Sequence, residues 1–286
     1  KVDDFAPGIS WIFTAGLDFF GEVAKFRAAR RLWARIMKER YGASVPKAQM
    51  LRVHVHTAGS VLTAQQPLNN VVRITWQALS AVLGGIQSMA CCAYDEAIAL
   101  PTEESATLAL RTQQLLAYES GVTDTIDPLA GSYYIETLTD KIEKEAYDYI
   151  DKIDRMGGAV AAIEQGYMQQ EMAAHAYEYQ HEVELGKRTV IGVNKFNDSK
   201  KLAEQDVLTA DLSVGERQIA RLEKMKAARD NEAVKAALEK LREAAKGTEN
   251  LMPYLIDAVK TYATLGEICG VLREEFGEYK QNGSMF

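Results

Sequence analysis

The chain has 286 residues, with 33 Lys and Arg against 40 Asp and Glu, for a net charge of −7. Hydrophobic residues at 47% and only 6 prolines exclude a disordered or collagen-like chain. The acidic balance argues against a nucleic-acid partner. No apolar run reaches the ~18 residues a membrane helix needs, so no membrane partner is expected. Three cysteines, Cys91, Cys92 and Cys269, are too few for a disulfide framework, and a cytoplasmic location is the expectation. The chain opens with Lys1-Val2-Asp3-Asp4, without Met and without a signal peptide, and reads as cut from a longer one.

In chain order, Ser10-Trp11-Ile12-Phe13 is a short strand-like run. Asp18 to about Tyr41 follows as a helix, its apolar positions Phe19, Val23, Phe26, Leu32, Trp33 and Ile36 spaced by three or four. Arg27, Arg30, Arg31 and Arg35 make one side of it basic, and Gly42 is its stop. Leu51–Thr57 reads as the second strand, Gln66–Leu83 as the next helix, and Ile86–Cys91, opened by Gly84-Gly85, as the third strand. Thr102 caps a helix that runs to Ser120, with Glu103 and Glu104 at its positive end. Strands alternating with helices through short connections predict parallel pairing and an α/β fold.

The remainder changes character. Val122–Tyr134 reads as a loop, followed by helices over about Glu136–Met156 and Ala159–Leu185, with a lone strand-like run at Thr189–Val193. Ser213 is expected to cap a charged helix over Val214–Arg229, and Asp230 or Asn231 to start another that stops at Gly247. Asn250 is a further cap, and Thr264 with Glu267 forms a capping box for the last helix. Three parallel strands neither close a barrel, which takes eight, nor make a stable open sheet, whose two faces both need cover. Residues of these strands that face missing neighbours are therefore expected to be exposed.

The strand Leu51-Arg52-Val53-His54-Val55-His56-Thr57 carries the strongest chemical signal. Alternation puts Arg52, His54 and His56 on one face and Val53 and Val55 on the other. A polar triple inside a sheet layer reads as a ligand site, as a self-satisfied polar cluster at a strand end, or as the start of a metal site. The metal reading lacks further ligands, because only His175 and His181 remain and both sit in a helical region; no metal is expected. Gln87 lies on the third strand, with Asp95 and Glu96 past its end, where barrel enzymes build active sites. Glu96 is either a ligand acceptor or a helix cap. The stretch from Gly59 to Gln66, with Asn69 and Asn70, is a polar loop able to offer amides to a ligand.

Several long stretches then resemble one family. Phe19-Phe20-Gly21-Glu22-Val23-Ala24-Lys25-Phe26-Arg27-Ala28-Ala29-Arg30-Arg31-Leu32-Trp33-Ala34, Leu62-Thr63-Ala64-Gln65, Asp95-Glu96-Ala97-Ile98-Ala99-Leu100-Pro101-Thr102, Asp127-Pro128-Leu129-Ala130-Gly131-Ser132-Tyr133-Tyr134 and Gly192-Val193-Asn194-Lys195 occur in the order found in the large subunit of the methylmalonyl-CoA mutase family. The resemblance implies the last three βα units of a TIM (β/α)8 barrel over residues 1–121 and a mainly helical C-terminal region over 122–286. It implies an adenosylcobalamin-dependent radical isomerisation of a short branched acyl-CoA, in which the carbonyl–CoA group migrates to the neighbouring carbon. The barrel would hold the thioester along its axis and shield the radical from water.

The same resemblance assigns roles by position. Glu96 matches a residue that hydrogen-bonds the adenosyl ribose, and Cys92 matches an adenosyl contact. His54 and His56 match residues beside the corrin and the substrate, Gln87 one that lines the substrate cavity, and Ser10 one that contacts the CoA tail; Arg52, on the face of the two histidines, is expected among the substrate-binding residues. This sequence departs from the pattern at Gly8, where relatives often carry Arg or Gln, at His56 in place of Gln, and at Met89-Ala90-Cys91-Cys92 in place of Leu-His-Thr-Asn, which removes the side chain expected at Cys92. The cobalamin signature Asp-x-His-x-x-Gly is absent, none of the four His having that context. The cobalt would then be held by a partner: a separate cobalamin-binding small subunit, in a homo- or hetero-oligomer. A free-amino-acid mutase and a non-catalytic assembly or scaffold homologue are the rival readings.

Overall fold

The computed structural model describes residues 1–197, 208–209 and 211–280. The chain divides into two compact units, residues 1–208 and 209–286. The described residues form a mixed α/β structure with twelve α-helices and one three-stranded parallel sheet.

The first unit contains α1 (Val2–Phe5), β1 (Trp11–Ala15), α2 (Phe19–Arg35), α3 (Pro46–Gln49), β2 (Val53–Thr57), α4 (Asn69–Leu83), β3 (Ser88–Ala90), α5 (Glu103–Glu119), α6 (Tyr133–Arg155), α7 (Ala159–Glu164) and α8 (Tyr167–Glu184). The strands lie in the order β1-β2-β3, each paired in parallel with the next in sequence. Register places Ile12 beside His54 and Ser88 beside His54 on the other side, with Phe13, Val55 and Met89 forming the next row. Because side chains alternate, the Phe13–Val55–Met89 face turns to the helices. There Val53, Val55 and Ala15 pack with Phe26, Leu51 and Ala81 as one core. The opposite face is open: Ile12 is 72% exposed, and Thr14, His56 and Ser88 are exposed as well.

Helix α6 returns to α2 and meets it through charges. Arg27 donates to Asp127, Glu136 and Thr139. Arg31 pairs with Asp140 and Glu143, and Arg40 with Asp154 at 2.6 Å. Arg27, Arg31 and Arg35 of the basic side of α2 are therefore paired within the fold. Glu143 is almost fully buried between Arg31 and Arg35.

Several boundaries differ from the sequence reading for local reasons. The third strand covers only Ser88–Ala90 rather than Ile86–Cys91. The helix expected from Gln66 starts at Asn69, because Gln66 has φ +50° and Pro67 follows. The helix expected over Ala159–Leu185 breaks at Gly166, whose φ of +73° is left-handed. The run Thr189–Val193 is a turn with a single bridge between Ile191 and Lys195. The Asn194 side chain accepts from the Val190 amide of this run and donates to the Val183 and Arg188 carbonyls before it. Helix α2 ends in a widened turn over Ile36–Arg40.

The second unit holds α9 (Ser213–Ala228), α10 (Asn231–Ala245), α11 (Met252–Lys260) and α12 (Leu265–Phe276), with Leu241, Ala258, Ile268 and Val271 as its core. Asp230 caps α10 through the amides of Glu232 and Ala233, and Thr264 with Glu267 forms a capping box on α12. Ser213 is the first residue of α9 rather than its cap, and its amide and hydroxyl both donate to Asp211.

Candidate functional site

The open face of the sheet gathers the polar side chains of β2. His54 and His56 follow each other on it, their rings 4.9 Å apart edge to face. His54 Nδ1 and Ser88 Oγ, on the neighbouring strand, are 2.8 Å apart and share a hydrogen bond. Val53 and Val55, on the reverse, are buried in the core, which fixes the direction of the two imidazoles. Arg52 precedes β2, and its guanidinium donates to the Ile9 carbonyl at 3.2 Å, beside Ser10, which is exposed just before β1. Ser10 and Arg52 thus sit at the N-terminal edge of the sheet.

The C-terminal edge is built by the segments after β2 and β3. The Cys92 amide donates to Thr57 Oγ1 at 2.8 Å, and the Cys92 thiol donates to the Thr57 carbonyl at 3.0 Å. These two bonds continue the sheet by one step past the ladder. Burial raises the Cys92 thiol, the bond to Thr57 opposes this, and Glu96 nearby adds to the rise. Cys91 is pushed up to about 12 by burial, with Cys92 contributing, so neither thiol is a nucleophile near neutral pH. Glu96 is exposed in the turn after β3, its stem against Gly59. Its carboxylate makes no hydrogen bond or ion pair among the described residues, and Thr102 alone caps α5. The helix-cap role is excluded for Glu96.

Gln87 does not join this group. Its Oε1 accepts from the Val53 amide at 2.7 Å and its Nε2 donates to the Gly85 carbonyl. His175 and His181 lie on α8, away from β2 in the chain, and among the described residues no three His, Cys, Asp or Glu are grouped to share a metal ion.

Two buried side chains escape the sequence pattern: Asn70, expected in the polar loop after β2, and Arg73. Asn70 is fully buried, and Arg73, one turn further along α4, is 6% exposed. Asn70 Nδ2 donates to the carbonyls of Thr63 and Tyr94, both at 2.8 Å. Arg73 donates to Thr63 Oγ1, Asn70 Oδ1 and the Ile191 carbonyl. The signal was an Asn and an Arg three positions apart, on one face of a helix.

The family model for methylmalonyl-CoA mutase matches residues 1–278. Over 98% of its length the chain is 46% identical to the 2-hydroxyisobutanoyl-CoA mutase large subunit of Aquincola tertiaricarbonis, covering 50% of that protein. It is also 46% identical to methylmalonyl-CoA mutase of Escherichia coli K12, over 98% of this chain and 39% of that one. Against the mitochondrial methylmalonyl-CoA mutase of Homo sapiens it is 38% identical, over 99% of this chain and 38% of that one. The chain spans between 38% and 50% of the length of these three relatives.

Proposed function

The chain belongs to the methylmalonyl-CoA mutase family, and from that premise we propose that it supplies the last three βα units of the catalytic barrel of an adenosylcobalamin-dependent acyl-CoA mutase. Residues 1–121 would be the barrel part and 122–286 the helical region that follows it. Both edges of the sheet support this. At β1 a groove of about 500 Å³ runs among Ile12, Phe13, Ala29, Leu32 and Ile142. At β3 one of about 270 Å³ runs among Ile86, Met89, Leu116 and Val122. Each is an apolar seat of the kind a further βα unit fills in a closed barrel.

The observation that carries the functional reading is the order of polar groups along the sheet. Ser10 and Arg52 stand at one edge, His54 and His56 on the open face, and Glu96 at the other edge. A five-residue strand spans roughly 16 Å, so this face can lie along an extended thioester with its CoA side by Ser10 and its reacting end by the imidazoles.

The residues fit the coenzyme at the C-terminal edge, where Glu96 presents an unpartnered carboxylate. A carboxylate is a strong acceptor for the paired hydroxyls of a ribose. Bound adenosylcobalamin would supply a carbon radical by homolysis of its Co–C bond. His54, oriented by Ser88, and His56 would pack beside the reacting carbons and keep water from them. Cys92 would contribute its bulk alone, because its thiol is bonded to Thr57. Gln87 would act on the substrate side by holding the first amide of β2, next to Arg52.

No described helix is long and apolar enough to cross a membrane; we propose a cytoplasmic enzyme. One relative is named a large subunit, which supports a separate small subunit that holds the cobalamin. The test is a panel of methylmalonyl-, ethylmalonyl-, isobutyryl- and hydroxyisobutyryl-CoA, assayed with the complete protein, its cobalamin-binding partner and adenosylcobalamin. Turnover of one of them supports the reading. Coenzyme binding without turnover of any favours a scaffold homologue.

A further inference from the structure

Two loops make the C-terminal edge of the sheet: the one after β2, through Thr63 to Gln66, and the turn after β3, which carries Glu96. No backbone hydrogen bond joins Thr63 to Tyr94. Asn70 joins them instead. Its Nδ2 donates to both the Thr63 and Tyr94 carbonyls, and its Oδ1 accepts from the Thr63 amide at 3.2 Å and from Arg73 at 2.7 Å. The side chain has no contact with water, so each of these bonds replaces one that bulk solvent would otherwise provide. Tyr94 lies two residues before Glu96 in the same turn.

Arg73 extends the same network outward. Beyond Thr63 and Asn70 it donates to the Ile191 carbonyl at 2.9 Å. Gln66 completes the attachment, donating to the Phe196 carbonyl at 2.9 Å. Gly192 closes on the Gln66 side chain, where a Cβ would stand at 3.1 Å. The turn around Gly192-Val193-Asn194-Lys195 is thus strapped across the loop after β2. The proposed chemistry uses none of these residues.

We propose that Asn70, backed by Arg73, is a positioning residue for the coenzyme side of the site: it locks the loops after β2 and β3 into one rigid rim and so fixes Glu96, with the 190–196 turn as an outer strap. The proposal rests on the assignment of Glu96 to the coenzyme, but its structural half stands apart from that assignment. Neither Asn70 nor Arg73 touches a ligand in this scheme. Both act through the loops that hold Glu96: Asn70 through the backbone of Thr63 and of Tyr94, two residues before it, and Arg73 through Thr63 and Asn70.

The test is Asn70→Asp in the complete protein. The carboxylate keeps the acceptor for Thr63 and Arg73 and the volume of the amide, but it loses both donors and sets an anionic oxygen against the Tyr94 carbonyl. Hydrogen exchange should accelerate at least about tenfold at amides of 62–66 and 94–98 while β2 stays protected. Coenzyme affinity should fall about tenfold, with the KM for acyl-CoA within about twofold. Arg73→Lys, which keeps the charge but loses the fork, should loosen 190–196 as well. Unchanged exchange in both variants, or acceleration spread evenly through the chain, overturns the proposal. Local loosening with unaltered coenzyme affinity overturns the assignment of Glu96 and leaves the rim standing.

Discussion

Gly59 and Glu96 meet so closely that the Cβ Gly59 lacks would stand 3.2 Å from Cγ of Glu96 and 3.4 Å from its Oε1. The end of β2 and the turn after β3 are in contact there with little room for a methyl group. The Glu96 carboxylate is thereby held by shape, with no ion pair to aim it.

Glu96→Ala should therefore weaken adenosylcobalamin function by roughly ten- to hundredfold, the value of about one charge-assisted bond. Stability should hardly change, because the Glu96 carboxylate bonds to no group among the described residues. Thermal unfolding and coenzyme titration on the same variant check this; unchanged affinity and turnover would remove Glu96 from the site.

Gly59→Ala tests the contact from the other side. The added methyl must push the Glu96 stem by a few tenths of an ångström. Coenzyme affinity should drop about three- to tenfold, and the double variant with Glu96→Ala should be no worse than Glu96→Ala alone. Additive losses would show that the two residues act independently.

In the second unit, Arg229 grips both oxygens of Glu267, at 2.5 and 2.8 Å. The guanidinium, aided by the Thr264 amide and hydroxyl and outweighing burial, lowers the Glu267 carboxyl from 4.5 to about 2. A depressed folded value gives stability that is complete above the unfolded value and is lost as pH falls through the folded one. The loss should run from about pH 4.5 to about pH 2. Glu267→Gln should melt lower than the parent at pH 7, and the gap should close near pH 2. A gap independent of pH would refute the assignment.

Arg27 has a side chain only 11% exposed and serves Asp127 and Glu136 together. Arg27→Ala takes the guanidinium from two carboxylates, and because both are a third or more exposed the cost should stay below the roughly 3–5 kcal/mol of a fully buried pair. Arg27→Lys should restore only part of it, since an ammonium cannot reach both partners in a fork. Denaturant unfolding of the two variants gives the comparison.

The 286-residue chain assayed alone with coenzyme and acyl-CoA should give no turnover, because the His54–His56 face is open to water. Any measurable isomerisation by it would contradict the need for a closed barrel.

The sheet was legible because Val53 and Val55 alternate with His54 and His56, and a period of two leaves one solution for the faces. The capping residues Thr102, Asp230 and Thr264 were equally legible, since each acts within three positions of itself. The break at Gly166 and the turn at Gly192 were not, because a left-handed glycine inside an apolar run looks like a tolerated one. The Asn70–Tyr94 bond and the Gln87–Val53 bond span 24 and 34 positions, and no local pattern announces a side chain that serves a distant backbone. The partners of the basic side of α2 were hidden for the same reason: Asp127 and Glu136 lie 100 and 109 positions on from Arg27.

That separation sets an order of events during synthesis. Arg27 emerges 109 residues before Glu136, a delay of about 5–20 s at ribosomal rates of roughly 5–20 residues per second. The three strands, each a neighbour of the next in sequence, can pair within that interval, while Arg27, Arg31 and Arg35 stay hydrated and keep the nascent sheet from sticking to others. The clasp between α2 and α6 then closes after the sheet, as the last step of that part. Contacts made last are absent from the folding transition state, so weakening the clasp should hasten unfolding and leave the folding rate nearly untouched.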